Sequence, residues 1–312
     1  MRYMFKMMNN ARLGVGVEGL AVAEGALQHA AAFALERRQG RAVGASAGEQ
    51  SLIVDHPDVR RMLLTMRAYT DAMRCVLYAN SSAVDVAKRH PNPETRQAAS
   101  DRAELLTPIS KAWCTDLGVE LTSIGIQVHG GYGYIEETGA AQYLRDSRIS
   151  PIYEGTNGIQ ALDLVGRKLP MREGGVVGDL LAEIGSLDAS LAEAGAGFES
   201  IRANLADALA AAGEATRWLM ANGAGDPTDA MAGATPYLRM LGQLIGGWLL
   251  ARLALGAHRR LADGGDDEFL ASKIVVARFY AEQLLPLAQA QIGAVTAGAS
   301  DLFALPADRF SA

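Results

Sequence analysis

Residues 127–160 read QVHGGYGYIEETGAAQYLRDSRISPIYEGTNGIQ, and the rest of the chain is best read outward from them. The stretch opens on glycines set among aromatics, Gly130-Gly131-Tyr132-Gly133-Tyr134. It closes on Tyr153-Glu154-Gly155-Thr156, with Leu144-Arg145-Asp146-Ser147-Arg148 between the two. Glycine has no Cβ and tolerates positive φ, so such a segment lets backbone approach a flat or charged ligand closely. Thr156 is placed to cap a helix of about a dozen residues that follows it. Glu154, just before that cap, is either a proton acceptor or a turn residue that complements the helix dipole. Thr138 reads as the cap of a short helix over 138–149, whose Arg145, Asp146 and Arg148 are suited to ion pairs.

On the N-terminal side the spacing predicts three long helices. Residues 2–38 carry Leu13, Val17, Leu20, Leu27 and Leu35 near one stripe. Gly14, Gly16 and Gly19 weaken this helix by roughly 1 kcal/mol each relative to Ala, a cost that makes sense where another backbone or a ligand comes close. Glu36-Arg37-Arg38-Gln39-Gly40 reads as its end, since cations suit a helix C-terminus and Gly the position beyond it. Arg12 reads as a solvated or ion-paired helix residue. A loop over 41–54 leads to Asp55-His56-Pro57, with Pro57 at the first turn of the second helix. Val59, Met62, Leu63, Met66, Tyr69, Met73, Val76 and Leu77 form its core-facing stripe. Pro91-Asn92-Pro93 breaks the chain, and a third helix runs from Glu94 to about His129 with Pro108 inside it. His129 is either a cap or a donor to a bound group.

Composition narrows the class. Of 312 residues, 49% are hydrophobic and only 6% aromatic, with Ala and Leu dominant, which favours an all-α fold. The net charge of −6 has its signs interspersed, so no nucleic-acid groove is expected. Cys75 and Cys114 share no metal-ligand spacing, and the five histidines are scattered, so no metal site is expected. Both cysteines read as buried small hydrophobes in a reducing, cytoplasmic compartment. No uninterrupted apolar run of about 18 residues predicts a membrane span. The start, Met1-Arg2-Tyr3-Met4-Phe5-Lys6, lacks the apolar region of a secretory signal.

The central stretch resembles the flavin-and-base segment of the acyl-CoA dehydrogenase family. That family carries Gln-x-x-Gly-Gly-x-Gly-aromatic, then Leu-x-Arg-Asp, then Tyr-Glu-Gly-Thr, matched here by Gln127, Gly130, Gly131, Gly133 and Tyr134, by Leu144, Arg145 and Asp146, and by Tyr153 to Thr156. The resemblance implies an antiparallel four-helix bundle of the family's C-terminal type over residues 1–170. It implies FAD as cofactor and an acyl-CoA thioester as substrate, dehydrogenated to a trans-2-enoyl-CoA. It assigns Glu154 as the base, Gln127, Gly130, Gly131 and Thr156 to flavin, and Asn9, Arg12, Tyr153 and Gly155 to the substrate. Arg37 and Gln39 match the segment that reaches the dinucleotide's pyrophosphate and adenine across a dimer interface. The aromatic residue common after that Gln is absent, a subfamily mark. An electron-transfer flavoprotein-like acceptor and a homodimer or homotetramer follow from the same resemblance. Family members carry N-terminal helical and middle β domains before the position of Met1. Two classes therefore stand: a dehydrogenase completed by those parts, or a catalytically silent helical module that oligomerises.

Residues 171–180 are Gly-rich and read as a linker. Beyond it, 171–312 reads as a second helical bundle, with helices near 176–190, 196–222, 227–263 and 266–292 broken at 222–227 and 264–265. It resembles the family's helical extension by position and pattern. Trp218, Trp248 and Phe279 are expected in its core or at a docking face.

Overall fold

The computed structural model describes residues 2–311 apart from 47, 224–226 and 265–266, so parts of both expected breaks in the extension lie outside the described residues. Among the described residues there are helices and one isolated bridge, and no strand. The all-α expectation holds.

Three long helices form the frame: α1 (Arg2–Glu36), α2 (Pro57–Arg89) and α3 (Pro93–His129). α2 starts with Pro57 at its first turn and His56 as N-cap residue. The Asn92 side chain caps α3 by accepting from the Thr95 N–H at 2.9 Å. α3 runs unbroken through Pro108. The α1 glycines explain themselves only in part. A Cβ on Gly16 would lie 2.6 Å from the Ser110 carbonyl oxygen, and one on Gly19 would lie 2.7 Å from that of Cys114. These two let α1 and α3 cross backbone to backbone, while Gly14 faces open space. α1 stops at Glu36 because the chain beyond it turns extended and pairs with 50–53: the Gln39 N–H donates to the Ser51 carbonyl and the Ile53 N–H to that of Arg37. The segment expected as a loop therefore returns onto the end of α1.

Short helices follow: α4 (Gly131–Tyr134), α5 (Ala140–Ser147) and α6 (Asn157–Asp163), the last continuing as a π-type turn over Leu164–Lys168. Thr156 caps α6, accepting from the Ile159 N–H at 3.3 Å. Thr138 is not a cap. Gly139, at φ +74°, holds that position, and the Thr138 hydroxyl donates to the Tyr132 carbonyl at 2.6 Å. A left-handed residue was needed there, which favours Gly over Thr.

The expected linker is also corrected. A tight turn over Met171–Gly174 leads directly into α7 (Gly175–Gly185). Val176, Val177, Leu180 and Ile184 are buried along one side of α7, so their spacing overrides the glycine-rich composition. α8 (Asp188–Glu193), α9 (Glu199–Asn222), α10 (Thr228–Ala232), α11 (Ala234–Ala262) and α12 (Glu268–Phe279) complete the larger part of the extension. The helix expected over 227–263 splits at Gly233, a position where a Cβ would lie 2.3 Å from the Val295 carbonyl oxygen. α12 passes into a π-type turn, Tyr280–Leu284, and the short helices α13 (Pro286–Gln289), α14 (Ile292–Thr296) and α15 (Ser300–Ala304) end the chain. Trp248 is buried, and Trp218 and Phe279 are half-buried against the core. Cys114 is buried as expected, whereas Cys75 is only partly so.

One hydrophobic core runs through both halves. Its seam is Trp113 of α3, clasped by α11: a Cβ on Gly242 would lie 2.3 Å from the indole Cγ, and one on Gly246 2.8 Å from Cη2. Beside it Gln243 donates to the Tyr69 hydroxyl at 3.1 Å and to the Leu284 carbonyl at 2.8 Å. The Lys273–Asp71 ion pair, 2.9 Å and almost wholly buried, ties α12 to α2. α11 is long and apolar enough to cross a membrane by length and composition, but 83% of its most apolar window is buried inside the protein.

Candidate functional site

The expected site residues fall into two clusters along α1, one beside Asn9 and Arg12 and one at its C-terminal end, roughly 36 Å apart at 1.5 Å of rise per residue. The first gathers Asn9, Arg12, Tyr153, Glu154, Gly155 and Thr156. The second gathers Arg37, Gln39, Gln127, Gly130 and Gly131.

In the first cluster, residues 151–157 form a closed loop. The Asn157 N–H donates back to the Pro151 carbonyl at 3.0 Å, and the Tyr153 N–H to that of Ile149 at 3.2 Å. Inside the loop Glu154 has φ +56° and Gly155 φ +85°. A non-glycine residue in the left-handed region costs on the order of 1 kcal/mol or more, and such strain concentrates at functional sites. Gly155 cannot be replaced cheaply: a Cβ there would lie 2.9 Å from Gln160 Nε2 and 3.7 Å from Arg12 Nη2. Arg12 is therefore against the loop. It is buried and not solvated, with Nη1 donating to Asp163 Oδ2 at 3.4 Å and to Asn9 Oδ1 at 3.5 Å. Arg12 Nε and Gln160 Oε1 are buried without a partner among the described residues. Such orphaned polar atoms are uncommon and mark where a ligand or water completes the bonding. Asn9 also lines a cavity of about 340 Å³ with Leu13, Lys88, Glu104 and Thr107.

The Tyr153 hydroxyl donates to Glu18 of α1, and this bond, more than burial, pushes the phenol up to about 12. Glu154 is half-buried, with Arg12 packed by the neighbouring Gly155 and Lys111 bonded to Asn157 at the end of its loop. Thr156 is exposed; its hydroxyl oxygen serves the helix cap and its proton remains free to donate.

The second cluster is open. Gln39, Gln127, Gly130 and Gly131 are exposed, and a Cβ on either glycine would meet nothing within 4 Å. Arg37 joins them by stacking on the Tyr132 ring, 5.1 Å from its centroid, and donates to Gln39 Oε1 at 3.5 Å. His129 turns away from this face, and its Nε2 is buried without a partner among the described residues. It is buried, stacked on Phe33, with Nδ1 against the Gly125 carbonyl at 2.8 Å. Arg145 pairs with Glu136 as an ordinary exposed ion pair. Among the described residues no group of metal-ligating side chains is found.

Sequence reading missed the polar layer beneath the loop: Glu18, Lys111, Asp116, Asn157, Gln160 and Asp163. The one available signal was Lys111, a lone cation in the apolar run Ile109 to Trp113 of a helix read as buried.

Comparison with known proteins follows this geometry. The family model described as acyl-CoA dehydrogenase, C-terminal domain, matches residues 1–169. That described as acetyl-CoA dehydrogenase C-terminal like matches residues 180–306. The chain is 46% identical over 297 residues to a 3-methylmercaptopropionyl-CoA dehydrogenase of Ruegeria pomeroyi, covering 95% of this chain and 50% of that protein. It is 32% identical over 292 residues to a butyryl-CoA dehydrogenase of Syntrophomonas wolfei, covering 92% and 47%. An acyl-CoA dehydrogenase of Bacillus anthracis, solved in complex with FAD, shares the fold with a TM-score of 0.72 at 20% identity, covering 94% of this chain and 49% of that one. The chain thus spans about half the length of the curated relatives it matches.

Proposed function

This chain belongs to the acyl-CoA dehydrogenase family, and from that we propose that it carries the base and one wall of the flavin site for FAD-dependent α,β-dehydrogenation of an acyl-CoA thioester, a reaction of the fatty acid β-oxidation type. The observation that carries the reading is the Glu154 loop. It presents a half-buried carboxylate on strained backbone, in a loop closed by its own hydrogen bonds and backed by Arg12 at Gly155.

In this reading the α C–H proton of the thioester passes to a Glu154 oxygen, the β-carbon gives up a hydride, and a trans C=C bond forms. FAD, when bound, supplies the hydride acceptor. Glu154 suits the transfer because a half-buried carboxylate at a loop lip meets substrate while water is displaced. Arg12, with its unpartnered Nε, orients the acyl end beside Gly155.

The residues present fit one side of a flavin. Gly130 and Gly131 leave a bare backbone surface, and Gln127 and the Thr156 hydroxyl face solvent with donors to spare. Arg37 brings a planar cation suited to a pyrophosphate. The separation of the two clusters along α1 supports the expected homodimer or homotetramer, in which one copy's Arg37 and Gln39 serve a dinucleotide held at another copy. An electron-transfer flavoprotein-like acceptor would reoxidise the flavin. We further take the boundary near residue 170 as the junction between the reacting bundle and its extension.

The test is anaerobic mixing of the FAD-loaded protein with acyl-CoA. Butyryl-CoA and 3-methylmercaptopropionyl-CoA are the first substrates to try, since two relatives above are named for them. Flavin absorbance should bleach in wild type and persist in Glu154→Gln, with FAD retained in both. A chain that stays colourless even when the family's N-terminal and middle domains are supplied in trans would instead be the silent helical module.

A further inference from the structure

Beneath the Glu154 loop lies a charge that the reaction above does not use. Lys111 of α3 is fully buried. Its Nζ donates to Asn157 Oδ1 at 2.7 Å, and among the described residues no carboxylate lies within ion-pair distance of it. Burying an ammonium against a neutral amide is costly, and replacing such a group by an apolar one is often neutral or stabilising. A fold that only needed packing at position 111 would do better with Leu or Met.

The amide it bonds is the hinge of the loop. Asn157 Nδ2 has three acceptors of α3 within reach of its two hydrogens, Asp116 Oδ1 at 2.6 Å, Thr115 Oγ1 at 2.9 Å and the Ala112 carbonyl at 3.1 Å. Its backbone N–H closes the loop onto Pro151. One residue therefore fastens both ends of the turn containing Glu154 and Gly155, and Lys111 fastens that residue. The charges facing the ammonium agree with this. Asp116 on α3, Glu154 on the loop and Glu18 on α1 favour its charged form, and Arg12 on α1 opposes it.

We infer that Lys111, acting through Asn157, is a positioning residue for Glu154: a buried cationic strut that holds the loop against α3 in its left-handed form, so that the carboxylate stands where the thioester arrives. The inference rests on the reading of Glu154 as the base.

The experiment compares Lys111→Met, Asn157→Ala, their double variant and Glu154→Gln in the FAD-loaded protein. Flavin content, acyl-CoA affinity, melting temperature and the rate of anaerobic flavin reduction are measured for each. Lys111→Met should keep flavin and substrate affinity and melt no lower than wild type at pH 7, while the reduction rate falls by up to about 100-fold, the scale of a displacement of about 1 Å at a reacting group. Asn157→Ala should fall similarly and carries the test alone if Lys111→Met does not fold. The double variant should be no slower than the slower single, because the two act as one device. A purely packing role would lower melting temperature and leave the rate per bound flavin untouched, which would overturn the inference. Independent, multiplying effects in the double variant would do the same. Glu154→Gln separates the two levels. If it reduces flavin at the wild-type rate, the base assignment falls and the strut with it. If it is dead while Lys111→Met is fully active, only the strut falls.

Discussion

The two clusters of expected functional groups along α1 are treated oppositely by the fold. At the Arg12 end the groups are interlocked by the chain itself: buried Arg12, Lys111, Gln160 and Asp163 stand behind a loop closed by its own hydrogen bonds. At the Arg37 end they lie on the surface, joined by one long hydrogen bond and a ring contact. Proton transfer tolerates little misplacement and so needs groups ordered before substrate arrives. Holding a dinucleotide needs mainly accessible donors and charge, which the ligand itself can order. Under the proposed function the contrast matches a proton-transfer role at one end and ligand adhesion at the other.

The most severe way to break the contrast is at the two named residues. Glu154→Gln should cut flavin reduction by roughly 10²–10⁴-fold with FAD still bound. Arg37→Ala should instead weaken FAD retention, seen as lost flavin absorbance on dialysis, and leave the rate per bound flavin unchanged.

The glycines sharpen it next. Gly155→Ala must accept a left-handed φ and displace Gln160, and should cost roughly 1–3 kcal/mol in denaturant unfolding. Gly131→Ala has open space and no positive φ, and should leave stability within about 0.5 kcal/mol. Equal losses at the two positions would erase the distinction between a built end and an open one.

The smallest effect is a pH dependence of stability at Lys111. Burial first, against the pull of Asp116, holds this lysine at about 8, below the ordinary 10.5. Below pH 8 it is charged in both folded and unfolded chains, and the cost of burying it is constant. Between about 8 and 10.5 the unfolded chain binds more protons than the folded one, so this group makes stability rise with pH across that window. The melting temperature of Lys111→Met should exceed wild type most below pH 8, and the gap should close towards pH 10.5. A gap that widened with rising pH would contradict the burial of a charged amine.

Much of this was legible before any coordinates. Stripes such as Val59 to Leu77 set the frame helices, and Pro57 and Asn92 marked their starts, because period and capping are local. The Tyr153–Thr156 and Gly130–Gly131 motifs stood out because their residue types are rare in that order, but nothing in the sequence put them at two separate places along α1. What stayed hidden depends on long-range packing. Gly175 looked like linker until Val176, Val177, Leu180 and Ile184 found a core to bury against. Thr138 looked like a cap until the backbone demanded a left-handed residue one place later. Lys111 and Asn157 are 46 residues apart and polar in different ways, and nothing in either neighbourhood announces the bond between them.

The indole of Trp113, gripped by two glycines of α11, has a consequence for how this protein changes over time. Any side chain at 242 or 246 collides with that ring, so neither partner in the clasp is free to mutate alone. A larger residue on α11 must be answered by a smaller one at 113, and the reverse substitution leaves a void. A bundle grafted onto another protein's extension would therefore meet it with a gap or a clash unless position 113 and its α11 partners were changed together.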